Sequence, residues 1–248
     1  MHIHYTPIAA LCVIALLSFG SIVVIAQNNH DDEGSEDDEF TTEFMIGDCA
    51  FKDSGANPYF SLQPGYQLIL ESEDEKVVIT ALREKKRFAV QGLGKPSIRT
   101  RVIEERHYEH DELVELSRNF FAICKQTNDV FYFGEDVNNY EEGSLINHDG
   151  SWHAFKDGAK PGIIMPGRFL LGSAYFQEQA PGAMDRAEHE AMGLTVETEA
   201  GTFDDCVMIE ESSPLEPNAT SEKTYCPGIG LVLDDDLKLV DFGMANSH

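Results

Sequence analysis

The stretch IRTRVIEERHYEHDELVELSRNFFAIC, residues 98–124, reads as two long strands joined by a tight polar turn at His110-Asp111. In its second arm Val114, Leu116, Phe120, Ala122 and Cys124 share one phase of a two-residue period, the pattern of a strand with one buried face. Working outward, YQLIL (66–70) and KVVITAL (76–82) precede it, and Asn128-Asp129 turns the chain into VFYF (130–133). SLINH, SWHAF, SAYFQEQ, LTVETE, FDDCVMIEE, KTYC, IGLVL and LKLV follow, punctuated by Pro161-Gly162, Pro166-Gly167, Pro181-Gly182 and Pro227-Gly228. Only AMDRAEHEAM (183–192) suits a helix, and a short one. Closely spaced strands without intervening helices predict an all-β chain, with at most that one helix. The expected form is an antiparallel meander in a curved sheet, half-barrel or barrel.

The chain has 248 residues, 44 acidic against 18 basic side chains, and a formal charge of −26. Such an acid excess repels polyphosphate and argues against nucleic acid as a partner. Residues 1–26 carry no Lys, Arg, Asp or Glu, and Pro7 to Ala26 is nearly all apolar. This reads as an export signal cut before Gln27, or as a retained membrane anchor; either puts the rest outside the cytoplasm, whether periplasmic, cell-surface or extracellular. Residues 27–41 read as an acidic, disordered linker, with seven acids between Gln27 and Phe40. That leaves 42–248 as a single β-rich domain.

Four cysteines remain after the signal, and an even number in an exported chain suggests disulfides. Cys206 and Cys226 are each ten residues from Glu216 in what reads as a hairpin, so they face one another across its ladder. That leaves Cys49 to pair with Cys124, unless these are buried thiols.

The segments NPYFSLQPGYQ, FFAICKQTNDVFYFGEDV, GSWHAFKDGAKPGIIMP, LLGSAYFQEQAPGAMDRAE and SPLEPNATSEKTYCPGIGLV span much of residues 57–240. Together they resemble an uncharacterised family of secreted bacterial β-rich proteins. The resemblance implies an exported bacterial protein with this strand order. It implies no activity and no catalytic residue.

No G-x-S-x-G, P-loop or zinc spacing is present, so no standard catalytic motif can be named. Three groups of residues are candidates for chemistry. Arg118 sits in the apolar phase of its strand, where it must either be ion-paired or line a cavity and hold an anionic ligand. Gln177, Glu178, Asp185 and Arg186 bracket a Pro-Gly turn, the setting of a ligand cleft or an acid–base pair. GEDVNNYEEG (134–143) reads as a loop whose Glu135, Asp136 and Asn138 offer hard oxygen donors for calcium. A basic cluster from Arg83 to Arg106 fits either an anionic partner or cross-strand ion pairs. The expectation is a binding or carrier module for a small molecule or lipid. The alternatives are a carboxylate-based hydrolase, with or without calcium, and a membrane-tethered surface interaction protein.

Overall fold

The computed structural model describes residues 39–90 and 97–245. The export signal or anchor expected over 1–26, and most of the expected linker, lie outside the described residues. Among the described residues there is no α-helix, and so none long and apolar enough to cross a membrane. The strands are β1 (Phe51–Lys52), β2 (Tyr66–Glu71), β3 (Glu75–Ala89), β4 (Ser97–Glu109), β5 (Glu112–Cys124) and β6 (Val130–Glu141). They continue with β7 (Ser144–Asn147), β8 (Trp152–His153), β9 (Lys160–Met165), β10 (Ala174–Phe176) and β11 (Glu178–Gln179). The last are β12 (Arg186–Thr198), β13 (Gly201–Ser213), β14 (Glu216–Cys226), β15 (Gly230–Asp234) and β16 (Leu237–Met244).

The fold is all-β, one antiparallel sheet in which spatial neighbours largely follow chain order. β2 to β6 form a meander that continues to β9; β12 to β16 form another, and β16 returns to pair with β2. The hydrogen-bonded path is not closed. Its two ends, β10 and β11, are nevertheless consecutive in the chain, with only Gln177 between them. Segment 174–179 thus pairs first with β12 and then with β9, curling the sheet around an interior. The N-terminal arm covers the seam: Thr41 donates to Ala174 O at 2.9 Å and accepts from Phe176 N at 3.0 Å. Ordered contacts therefore begin inside the stretch expected to be linker, with the Phe40 ring 6.1 Å from that of Phe176.

Gly162 permits this seam. A Cβ placed there would lie 2.2 Å from Phe176 O and 2.6 Å from Gln177 O, so any side chain would drive β9 and the closing segment apart.

AMDRAEHEAM, expected as the one helix, is instead mostly strand β12. Ala187 and His189 are buried while Glu190 is exposed, and ladder bonds to β10 and β13 override the helical preference of the alanines and glutamates. GEDVNNYEEG, expected as a loop, lies mostly in β6, where each residue to Asn139 has a partner on β5 or β8.

Both disulfides form, Cys206–Cys226 and Cys49–Cys124. Val207 pairs with Tyr225, so the hairpin register does bring Cys206 opposite Cys226. The second bond ties the segment carrying β1 to the end of β5, where Phe51 packs edge-on against Phe131 and Phe133 at 5.5 and 5.2 Å. Two disulfides belong to an oxidising compartment outside the cytoplasm, and the protein is an exported one.

Replacing Gly162 with Ala should cost about 3 kcal/mol, the upper range for overpacking against backbone that cannot yield. Urea denaturation checks this. A loss below ~0.5 kcal/mol would show that the close approach at the seam is not needed.

Candidate functional site

The curled sheet encloses a cavity of about 790 Å³. On β5 the inward phase is Glu115, Ser117, Asn119 and Phe121; on β4 it is Ile103, Glu105 and His107; on β14, Ser221, Lys223 and Tyr225. The register aligns these strands so that polar residues gather towards one end and apolar ones towards the other. The polar end reaches solvent at the β2–β3 and β15–β16 turns, where Glu73, Asp74, Asp235 and Asp236 are exposed and line the mouth. The opposite end is floored by Tyr59, Phe60, Tyr66, Ile229 and Leu231. Residues 56–62 are strapped there by Gly228 N donating to Pro58 O at 2.7 Å and by the Asn57 amide donating to Met165 O and Pro166 O.

Fourteen carboxylate side chains line the cavity and its mouth, against two lysines. Inside, Lys223 is shared: its Nζ lies 2.9 Å from Glu211 Oε2 and 3.7 Å from Asp234 Oδ2. Gln177 Nε2 donates to the other Glu211 oxygen at 2.7 Å. Glu178 is 1 % exposed; its Oε1 accepts the Asp185 amide at 2.8 Å, and its Oε2 has no hydrogen-bond partner. Tyr132 donates to Asn119 Oδ1 at 2.6 Å, and the Asn119 amide donates to Ser117 Oγ at 3.0 Å.

Burial is the first cause acting on these acids. It pushes Glu105 up to about 7, with Lys223 partly offsetting it and Glu115, Asp234 and Glu211 adding to it. Asp185 and Asp234 are each pushed up to about 6 by burial, with the Glu211 charge adding. Glu135 and Glu178 are raised further, by burial and then by Glu115 and Asp185 respectively, and Glu115 is raised by burial alone. Glu105, Glu115, Glu135 and Asp185 are enclosed by protein yet keep surface facing the cavity, so water in the cavity solvates them in part.

The structure brings together some of the expected site residues and separates others. Gln177, Glu178 and Asp185 line the cavity. Arg118 does not: its side chain is 41 % exposed and pairs with Glu104 at 3.0 Å and Glu84 at 3.3 Å. Both faces of β5 are partly apolar, and the cavity took the phase that reads as polar. Phe120 and Ala122, in the phase of Arg118, are buried under the layer containing Phe88. Arg186 follows Asp185 by one residue and so turns the other way, its guanidinium 4.4 Å from the Phe40 ring and its Nε donating to Ser212 Oγ at 3.3 Å.

The calcium set also divides. Glu135 faces the cavity, whereas Asp136 accepts from Lys86 at 2.9 Å and lies 2.7 Å from His153 Nε2. Asn138 shares the phase of Asp136, so these three cannot surround one ion. Among the described residues no three or more His, Cys, Asp or Glu side chains are arranged to hold a metal. Among the described residues of the basic cluster, Lys85, Lys86, Arg99 and Arg106 each meet a carboxylate. Lys85 and Arg99 both reach the Asp53 carboxylate, and buried Arg101 donates to the carbonyls of Asp53, Leu82 and Arg83.

Glu105, Glu115, Glu211, Lys223 and Asp234 were not candidates from the sequence. The available signal was charge recurring at period two between apolar residues, as in Ile103-x-Glu105-x-His107, which also fits a solvated face.

A scan against protein-family models finds no match, and a search of curated proteins finds no similar sequence. Among solved structures, one titled a "putative lipoprotein" from Parabacteroides distasonis matches 77 % of this chain and 100 % of its own, at 12 % identity and a TM-score of 0.35. A superposition that loose carries no argument about fold or function.

The raised acids fix the sign of the pH dependence. Each binds its proton more tightly folded than unfolded, so the folded state holds more protons between about pH 4 and 7, and stability falls as pH rises through that window. His189, whose pKa burial lowers from 6.5, opposes this below that value but is a single group. Asp53 and Asp136, held low by cationic partners despite their burial, stabilise until the pH drops below about 4. The melting temperature at pH 5 should exceed that at pH 8 by roughly 5 °C, and Glu105→Gln should narrow the gap. A higher melting temperature at pH 8 would contradict this assignment.

Proposed function

We propose that the protein is an exported binding or carrier module that holds a small molecule inside the curled sheet. The single observation carrying this reading is the cavity itself. At about 790 Å³ it lies within the range of small-ligand sites, and it combines an apolar floor with a few convergent polar groups. Buried polar groups that serve only stability are paired. Here Glu178 Oε2 is not, although ladder positions around it could have held apolar residues.

Two features fit reversible binding. The floor is strapped by side-chain and backbone bonds across more than 100 residues of chain, and the mouth is formed by turns with exposed tips. Loops around a rigid scaffold are where access is regulated. Residence in the periplasm, at the cell surface or outside the cell all suit such a module, as does membership of the secreted bacterial family its motifs resemble.

A second reading has one observation in its favour. Glu178 and Asp185 are adjacent buried carboxyls with raised affinity for protons, and such a pair can share acid and base roles in hydrolysis.

Native mass spectrometry of the protein isolated from its source should show a bound small molecule, absent from the cavity-filling variant Ser117→Phe. Identical spectra for the two proteins, with nothing bound, would overturn the carrier reading. Turnover of a neutral substrate that Glu178→Gln abolishes would favour the hydrolase instead.

A further inference from the structure

We propose that the cavity's ligand is an amphiphilic amine, with its ammonium group among Glu178, Asp185, Glu135 and Glu105 and its apolar body on the aromatic floor. This inference rests on the reading of the cavity as a binding site and names the chemistry that the site selects.

Three observations carry it. The first is Glu178, 99 % buried, lining the cavity, with one carboxyl oxygen lacking any hydrogen-bond partner. In the empty site burial keeps a proton on this carboxyl; once that proton leaves, the oxygen needs a donor from the cavity, and a charged donor satisfies it best.

The second is Lys223, the chain's own example of the arrangement. Its ammonium reaches the cavity from β14 and sits between Glu211 and Asp234. It thereby partly offsets the acids on β13 and β15. Glu105 on β4, Glu115 on β5, Glu135 on β6, Glu178 on β11 and Asp185 beyond it remain as an excess of acid facing the same space.

The third is the polarity gradient along the strands. β4 runs Ile103, Glu105, His107; β5 runs Phe121, Asn119, Ser117, Glu115; β14 runs Tyr225, Lys223; β15 runs Leu231, Asp234. All four progress from apolar floor to charged mouth. Six residue steps along β5 separate Phe121 from Glu115, about 20 Å of strand. A ligand matched to that gradient has an apolar end and a cationic end.

Size excludes the simplest cation. A bare metal ion fills a small fraction of about 790 Å³ and leaves the floor unused. An anion would meet the acidic mouth first and be repelled, whereas an amine would be drawn in by it.

The empty site holds protons where the bound site holds the amine. Glu105 is pushed up to about 7 and Asp185 to about 6, both mainly by burial. The acids facing Glu105 are Glu115, Glu211, Asp234 and Glu135, with Lys223 as the opposing charge; those facing Asp185 are Glu211, Glu178 and Glu135, again with Lys223. An arriving ammonium displaces protons to the buffer, and acidification reverses the exchange.

The test is calorimetric titration of the full chain at pH 7.5 and low salt with four probes of matched simplicity: n-octylamine, 1-octanol, octanoate and calcium chloride. Octylamine should bind one to one, octanol at least tenfold more weakly, and octanoate and calcium not measurably. Glu178→Gln should weaken octylamine at least tenfold. If that variant does not fold, Glu105→Gln should weaken it in the same direction. Octanol or octanoate binding as well as octylamine would overturn the amine while leaving the cavity as a binding site. Calcium binding more tightly than octylamine would overturn it in favour of a metal. Failure of all four probes to bind would overturn the amine, and the native mass spectrum then decides the cavity reading separately.

Discussion

The close approach of Gly162 to the backbone of Phe176 and Gln177 is the contact on which the rest of the structure depends. Segment 174–179 is too short to serve as a full strand for both neighbours, so it is divided, three residues to β12 and two to β9. The division works only if β9 presents no side chain at the crossing. Once the seam is made, Gln177 and Glu178 face the interior, and Glu178 meets the amide of Asp185 as the chain turns back. The closing of the sheet around the cavity on this side rests on one position without a Cβ.

The interior is electrostatically costly, and the outer layer shows how that cost is carried. On the outer face of β3 to β6, charges are matched: Asp53 against Lys85 and Arg99, Glu104 against Arg106 and Arg118, Asp136 against Lys86 and His153. Aromatic rings of Phe51, Phe88, Phe120, Phe131 and Phe133 pack between them, fastened by the Cys49–Cys124 bond. Inside, one lysine faces many acids, and these relieve their repulsion by keeping protons. A protein selected for stability alone would have filled these positions with apolar side chains. The contrast between the paired charges of that outer face and the acid excess inside is the physical content of the binding proposal.

Much of the fold could be read from the sequence, and the site only in part. The turns at His110-Asp111 and Asn128-Asp129, and the hairpin that aligns Cys206 with Cys226, are local features set by turn chemistry and period. The secondary structure of 183–192 was not legible, because its alanines and glutamates favour a helix locally and only the neighbouring strands make it β. Which face of β5 looks inward was hidden for a related reason. Both phases of that strand contain buried residues, Phe120 on one and Phe121 on the other, so hydrophobic alternation did not tell cavity from outer layer. Arg118 followed the more apolar phase and lies outside. That Gln177, Glu178 and Asp185 lie near one another is legible because a Pro-Gly turn between polar groups marks a loop. Lys223 and Glu211 come together only through the pairing of β13, β14 and β15.

The central claim is that buried carboxyls hold protons in place of a cationic ligand, and counting those protons tests it most directly. Calorimetric titration of octylamine at pH 6.5 in two buffers of different ionisation enthalpy gives the number released per amine bound. The account predicts release approaching one proton per amine. No release, or uptake of protons on binding, would contradict it.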